Sequence, residues 1–147
     1  MLKTSGAGAP NSLDATGGSD IEWIDLTIGT PYYSTLGLKV RVQGQKSMVI
    51  LPASDKILNS QGAVHGGAIA ALLDVALSQA VRALGPPGVR VVTIDLHVTF
   101  LRPGRGRLDA HGKVLRAGKT VALAEALVTD SDGTEVAKAT GALRTYR

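Results

Sequence analysis

The sequence predicts an α+β domain, with one long helix wrapped by an antiparallel sheet of about six strands. Residues 67–84 are apolar nearly all round (Ile69, Ala70, Ala71, Leu72, Leu73, Val75, Ala76, Leu77, Ala80, Val81), the mark of a central buried helix. Two strand-like runs precede this helix and four follow it. Short turns carrying glycine separate the runs.

Taken in order, residues 1–20 are rich in Gly, Ser, Ala, Thr and Asp without periodicity and read as a disordered tail. Residues 21–147 read as a single domain. A short alternating piece with Trp23, residues 21–28, is expected to pack on the domain edge. Pro31 to Gly37 reads as a brief helix or turn. Strands at 38–42 and 47–51 are joined by Gln43-Gly44-Gln45, a hairpin signal, and a loop at 52–64 leads to the helix. Gly85-Pro86-Pro87-Gly88 stops that helix sharply. The remaining strands fall at 90–101, 107–116, 119–130 and 134–145. Their turns each carry a glycine where a left-handed residue is expected, including Gly118 and Gly133. In the first of these strands, alternation puts Val92, Ile94, Leu96, Val98 and Phe100 on one face and Thr93, Asp95, His97 and Thr99 on the other.

The chemistry concentrates at Asn59-Ser-Gln-Gly-Ala-Val-His65-Gly66-Gly67, which runs straight into the helix. Gly66 and Gly67 lack side chains, so a ligand can approach the first free amides of the helix. Those amides and the helix dipole suit an oxygen carrying or gaining negative charge. Asp74 is an isolated acid in the apolar helix, where a carboxylate needs hydrogen-bond partners, water or a chemical task. It lies roughly 12 Å along the helix from Gly66 and about 80° round it. If both groups act on one small carbonyl, Gly66 must come from one subunit and Asp74 from another, which requires a two-fold dimer with two composite sites.

Composition sets the bounds. With 147 residues and 44% hydrophobic content the chain is long enough for one domain with a real core. There is no cysteine, and His65, His97 and His111 lack ligand spacing, so neither thiolate chemistry nor a zinc site is expected. The first ten residues lack a signal-peptide core, and Asp74, Ser78, Gln79 and Arg82 interrupt the long helix, so a cytoplasmic protein with no membrane span is expected. The net charge is +4, densest at Arg102-Pro-Gly-Arg-Gly-Arg107, while aromatic residues are 3% of the chain. No nucleic-acid motif accompanies the charge, and a phosphorylated small molecule is the better fit. The alternative is that most of these charges only solvate the surface.

The pattern Asn59-x5-His65-Gly66-Gly67-x6-Asp74, with the strand Val91-Val-Thr93 to Pro103, resembles the hotdog-fold acyl-CoA thioesterases of the phenylacetate-degradation type. The resemblance spans roughly residues 31–146. It implies hydrolysis of aryl- or medium-chain acyl-CoA to free acid and CoA, with no cofactor beyond the CoA of the substrate. It places the nucleophile or general base on Asp74 and the oxyanion donor on the Gly66 N–H of the partner subunit. His65 and Asn59 would hold the loop and the thioester end, although each also has a plain local use as a cap or turn residue. A hydroxyl that orients water falls on Thr93, but strict alternation turns Thr93 away from the helix unless the strand bends or bulges near its start. Gly67, Arg116, Gly118 and Lys119 would meet the substrate or its CoA phosphates. Tyr32 and Tyr33 fall near the acyl pocket of relatives, with core packing as the alternative. The resemblance further implies a homodimer joined edge to edge, commonly paired into a homotetramer. Two rivals remain open: a non-catalytic acyl-CoA-binding module, and a hotdog hydratase or dehydratase.

Overall fold

The computed structural model describes residues 21–146, so the expected tail at 1–20 lies outside the described residues. The elements are β1 (Ile24–Leu26), α1 (Pro31–Leu36), β2 (Lys39–Gln43), β3 (Lys46–Leu51), a short 3-10 turn (Asp55–Ile57), α2 (Gly66–Arg82), β4 (Arg90–Phe100), β5 (Leu108–Ala117), β6 (Val121–Thr129) and β7 (Glu135–Tyr146). All seven strands join one antiparallel sheet in the order β1-β2-β3-β5-β6-β7-β4. The strand beyond the expected six is β1, whose three residues pair with Val40–Val42 at the sheet edge.

The sheet curls round α2. Leu72, Leu73 and Leu77 of the helix are fully buried with Leu51, Leu108, Val128, Val136 and Leu143 of the sheet side. Small residues on the inner face, among them Ala110, Gly112, Ala124, Ala126 and Ala139, let the helix lie close to the strands. The approach is tightest at Gly112. A Cβ there would collide with the Ala76 carbonyl oxygen and come within 2.6 Å of Ser47 Oγ, which itself donates to the same carbonyl at 2.6 Å. Gly112→Ala is therefore expected to destabilise the fold by about 2–3 kcal/mol, read as a lowered denaturation midpoint.

Two details depart from the sequence reading. The helix is not covered all round: Gly67, Ala70, Ala71, Asp74 and Ser78 form a stripe along it that is only partly covered, and Asp74 is half-buried rather than buried. Gly106 and Gly133 do adopt left-handed conformations, with φ of 67° and 80°, but Gly118 does not. Gly118 serves a close approach instead, since a Cβ would stand 2.8 Å from the Val121 carbonyl oxygen.

The consequential irregularity is in β4. Its register against β7 shifts between Thr93 and Asp95, leaving Ile94 as an extra residue. The bulge reverses the alternation, so Val91 and Thr93 share the covered side with Leu96 and Val98, while Val92 and Ile94 face outward at 52% and 56% exposure. Thr93 therefore points toward α2, contrary to strict alternation.

Candidate active site

The loop before α2 is built to present the helix start. Asn59 Oδ1 accepts from the amides of Gln61 (2.9 Å) and Ala63 (3.1 Å), and the Asn59 amide donates to the Ala63 carbonyl at 2.7 Å, which closes a tight turn. The amide of Val64 donates to the Gly104 carbonyl and that of His65 to the Ile57 carbonyl, fixing the entry to the helix. His65 is the N-cap residue, and its Nδ1 accepts the Gly67 amide at 2.8 Å. A Cβ on Gly67 would stand 3.0 Å from that nitrogen, so the glycine lets the imidazole fold back over the helix end.

The cap separates the two glycine amides. Gly67 spends its N–H on His65, so it is not the free donor that the bare sequence suggested. Among the described residues the Gly66 amide, at the first helical position, has no acceptor. The Phe100 ring lies 3.5 Å from where a Gly66 Cβ would sit, which adds an aromatic wall the sequence reading did not assign to the site.

Two turns along the helix, Thr93 Oγ1 donates to Asp74 Oδ1 at 2.6 Å. This short contact to a carboxylate fixes one oxygen and leaves the other without a hydrogen-bond partner among the described residues. The structure thus brings together Thr93 with Asp74, and Asn59 with His65, Gly66 and Gly67. It does not bring the two groups together within one chain, because an unbroken helix keeps them roughly 12 Å apart.

The expected phosphate-binding residues form a third group. Gly118 and Lys119 lie on the β5–β6 hairpin beside Val81, Leu84, Gly85 and Pro86, around a small cleft of about 150 Å³ at the C-terminal end of α2. Arg116 sits on the same hairpin, exposed, at a register shift in β5. Arg90 and Arg144, which the sequence reading missed, both stack on Tyr146 with guanidinium carbons 5.6 and 5.1 Å from the ring centre. The Thr145 amide donates to the Thr120 carbonyl, tying this cluster to the hairpin. The densest basic run is otherwise engaged. Arg102 donates to the Glu135 carbonyl, Arg105 to the Gly62 carbonyl, and Arg107 pairs with Asp109.

A cleft of about 620 Å³ opens on the outer face of the sheet, lined by residues such as Trp23, His97, His111 and Lys138. It contains none of Gly66, Asp74 or Thr93, so it is separate from the groups described above. No described helix is long and apolar enough to cross a membrane.

Comparison with known proteins agrees with this architecture. The family model described as the thioesterase superfamily matches residues 61–137, more than half of the chain. A protein of Halobacterium salinarum designated a candidate esterase is 40% identical over 126 residues, covering 78% of this chain and 83% of that one. The medium/long-chain acyl-CoA thioesterase YigI of Salmonella typhimurium is 40% identical over 95 residues, covering 55% and 61%. A Bacillus halodurans protein, BH2602, whose crystal structure is with CoA, superposes with a TM-score of 0.75 at 30% identity over 81% of this chain and 80% of that one. The Escherichia coli PaaI protein, from the phenylacetic acid degradation operon, shares the fold with a TM-score of 0.75 at 22% identity, covering 81% and 86%. With its long helix wrapped by an antiparallel sheet and its glycine-led helix start, the chain belongs to the thioesterase superfamily and is a thioester hydrolase of the hotdog fold.

Proposed function

We propose that the protein hydrolyses acyl-CoA thioesters to the free acid and CoA, at two composite sites of a two-fold dimer. The observation that carries this reading is the pairing of a Thr93-anchored Asp74 with a helix start whose one uncommitted amide is that of Gly66. The thioester carbonyl points at the Gly66 N–H of one subunit. Asp74 of the other either takes a proton from a water that attacks the carbonyl and passes it to the departing CoA thiolate, or attacks directly and expels the thiolate to form a mixed anhydride, which water then hydrolyses to the free acid with its proton going to the thiolate. His65 and Asn59 act on the loop rather than on the reacting atoms, which matches their hydrogen bonds.

The dimer has geometric support. In two antiparallel copies of α2, Gly66 faces the partner's Asp74 when the helices cross midway between them, at residue 70. The residues there, Ala70 and Ala71, are small and only partly covered, so the backbones can approach closely. The outer edge of β4 has no neighbour in the sheet order, and an eleven-residue strand with an open edge is a ready template for pairing. Two such dimers would assemble into a tetramer, as the family resemblance implies.

CoA as the leaving group is supported by the relatives, one a named acyl-CoA thioesterase and one crystallised with CoA. On this chain Arg116, Lys119, Arg90 and Arg144 supply cations around one hairpin for its phosphates. A CoA-ester substrate fits a protein acting in the cytoplasm, which we propose as its location.

The test is thiol release from a panel of aryl- and fatty-acyl-CoA esters. Release ranks the acyl groups. Binding without release from any ester would make the protein a binding module and overturn the proposal. A narrower expectation concerns Thr93. Thr93→Val removes the donor to Asp74 Oδ1 and should lower kcat by about tenfold, whereas Thr93→Ser keeps the donor and should stay near wild type.

A further inference from the structure

The cleft of about 620 Å³ on the outer face of the sheet has no part in the hydrolysis, and strand register explains what lines it. Lys46 stands directly opposite Lys113, Lys113 opposite Glu125, Glu125 opposite Thr140, and Thr140 opposite His97. One row of outward side chains thus crosses from β3 to β4. At the other end Gln43 pairs with Lys46 and Val42 with Ile24, so Trp23, which also lines the cleft, stands next to Gln43.

The charges in the cleft do not balance. Lys113 Nζ pairs with Glu125 Oε1 at 2.9 Å and Lys138 Nζ with Glu135 Oε2 at 3.6 Å. Lys46 faces Lys113 from the next strand and has no ion pair among the described residues. Like charges directly opposite on paired strands are destabilising, and an anion held between them removes that cost. Three lysines and two glutamates line the cleft, so one positive charge is left over, a match for a monoanion rather than a doubly charged phosphate. His111, opposite Met48 and so diagonal to Lys46, adds a ring N–H. The remaining lining is apolar in part, with Ala126, Leu127 and Ala139. The indole of Trp23 is held in place: the Arg41 guanidinium lies over it at 5.9 Å and pairs with Asp25 at 2.7 Å, while the Gln43 side chain donates to the Ile21 carbonyl. Trp23 and Lys46 are two strands apart, roughly 10 Å.

We propose that this cleft is a second binding site, for a monocarboxylate with an aromatic body. The ring seats against Trp23, and the carboxylate, on a short tether, lies between Lys46 and Lys113 with His111 donating to it. No bond is made or broken there. Edge-to-edge pairing through β4 leaves the site open, because Trp23 and Lys46 lie toward the opposite edge of the sheet. On the hydrolysis proposed above, acids released from aryl-CoA esters belong to this ligand class, so the site takes up product away from Asp74.

The chain has one tryptophan, so its fluorescence reports on this cleft directly. Titration with 3-phenylpropionate should change the Trp23 emission saturably, with a Kd of about 0.1–1 mM. The amide of the same acid, which lacks the charge, and acetate, which lacks the ring, should bind about tenfold more weakly or worse. Lys46→Gln should raise Kd for the acid by about tenfold, while Lys46→Arg, which keeps the cation, should stay near wild type. Calorimetry should give the same ranking, and both variants should melt as wild type does, since the position is exposed. An indole that does not respond, equal binding of acid and amide, or an unchanged Kd in Lys46→Gln would overturn the site. A changed assembly mass in Lys46→Gln, by light scattering, would do so as well, by making this face a contact between copies. Thiol release enters none of these readings, so the site and the hydrolysis reading can fail separately.

Discussion

Asp74→Asn should lower kcat for thiol release by about 10²- to 10⁴-fold with KM nearly unchanged. The substitution is close to isosteric, and Thr93 Oγ1, which donates to Asp74 Oδ1 at 2.6 Å, can donate equally to the amide oxygen of asparagine. The second carboxylate oxygen becomes an NH₂ group. That atom would attack the carbonyl or take a proton from water, and an amide nitrogen does neither at a useful rate. Because the Thr93 contact survives and the position is only half-buried, the melting temperature should stay close to wild type. Asp74→Ala is less informative, since it also strips Thr93 of its acceptor. Stopped-time thiol assays on aryl- and fatty-acyl-CoA check the expectation, and turnover at the wild-type rate in Asp74→Asn would remove Asp74 from the mechanism.

The parts of this site that were legible in the sequence are those fixed by local chemistry. Glycines before an apolar run mark a helix start, Gly85-Pro86-Pro87-Gly88 marks its end, and an acid at position 74 stands out against alanine and leucine. The orientation of Thr93 was not legible. Nothing in Val91-Val-Thr-Ile-Asp95 announces a bulge, because no glycine or proline is present, and the register shift at Ile94 is set by pairing with β7. The same holds for Arg90 and Arg144, which converge on Tyr146 only once β4 and β7 are aligned, with Arg90 opposite Tyr146. The three-residue β1 carries too little pattern to read as a strand, and it exists because β2 offers it an edge. The arginines at 102, 105 and 107 looked like an anion site by density alone. In the fold Arg105 pins the loop before the helix through the Gly62 carbonyl, Arg102 reaches the Glu135 carbonyl at the start of β7, and Arg107 pairs with the Asp109 carboxylate, so the first two uses depend on carbonyls distant in sequence. Sequence thus carried the candidate reacting groups and the helix, while strand pairing decided which side chains lie beside them.

Gly66→Pro is the second substitution with a large expected effect, and it isolates the proposed oxyanion donor, a backbone amide that a side-chain replacement cannot touch. Proline removes the N–H while being well tolerated at the first position of a helix. His65 before it already has φ −59° and ψ 136°, the extended conformation that a residue preceding proline favours. A Cβ at position 66 meets the Phe100 ring at 3.5 Å, an ordinary contact. The fold should therefore hold while thiol release falls by about 10²- to 10³-fold. Combined with Asp74→Asn, this variant also tests whether the sites are shared between subunits. Each homodimer should be nearly inactive. In a mixed dimer, however, the Asp74→Asn chain still offers a Gly66 amide and the Gly66→Pro chain still offers a carboxylate, so one of the two sites is intact. Random mixing by co-refolding makes half the dimers mixed, and activity should recover to about a quarter of wild type. Sites contained within one chain would show no recovery even when mass spectrometry finds the mixed dimer, and the roughly 12 Å between Gly66 and Asp74 along an unbroken helix is the physical reason to expect the opposite.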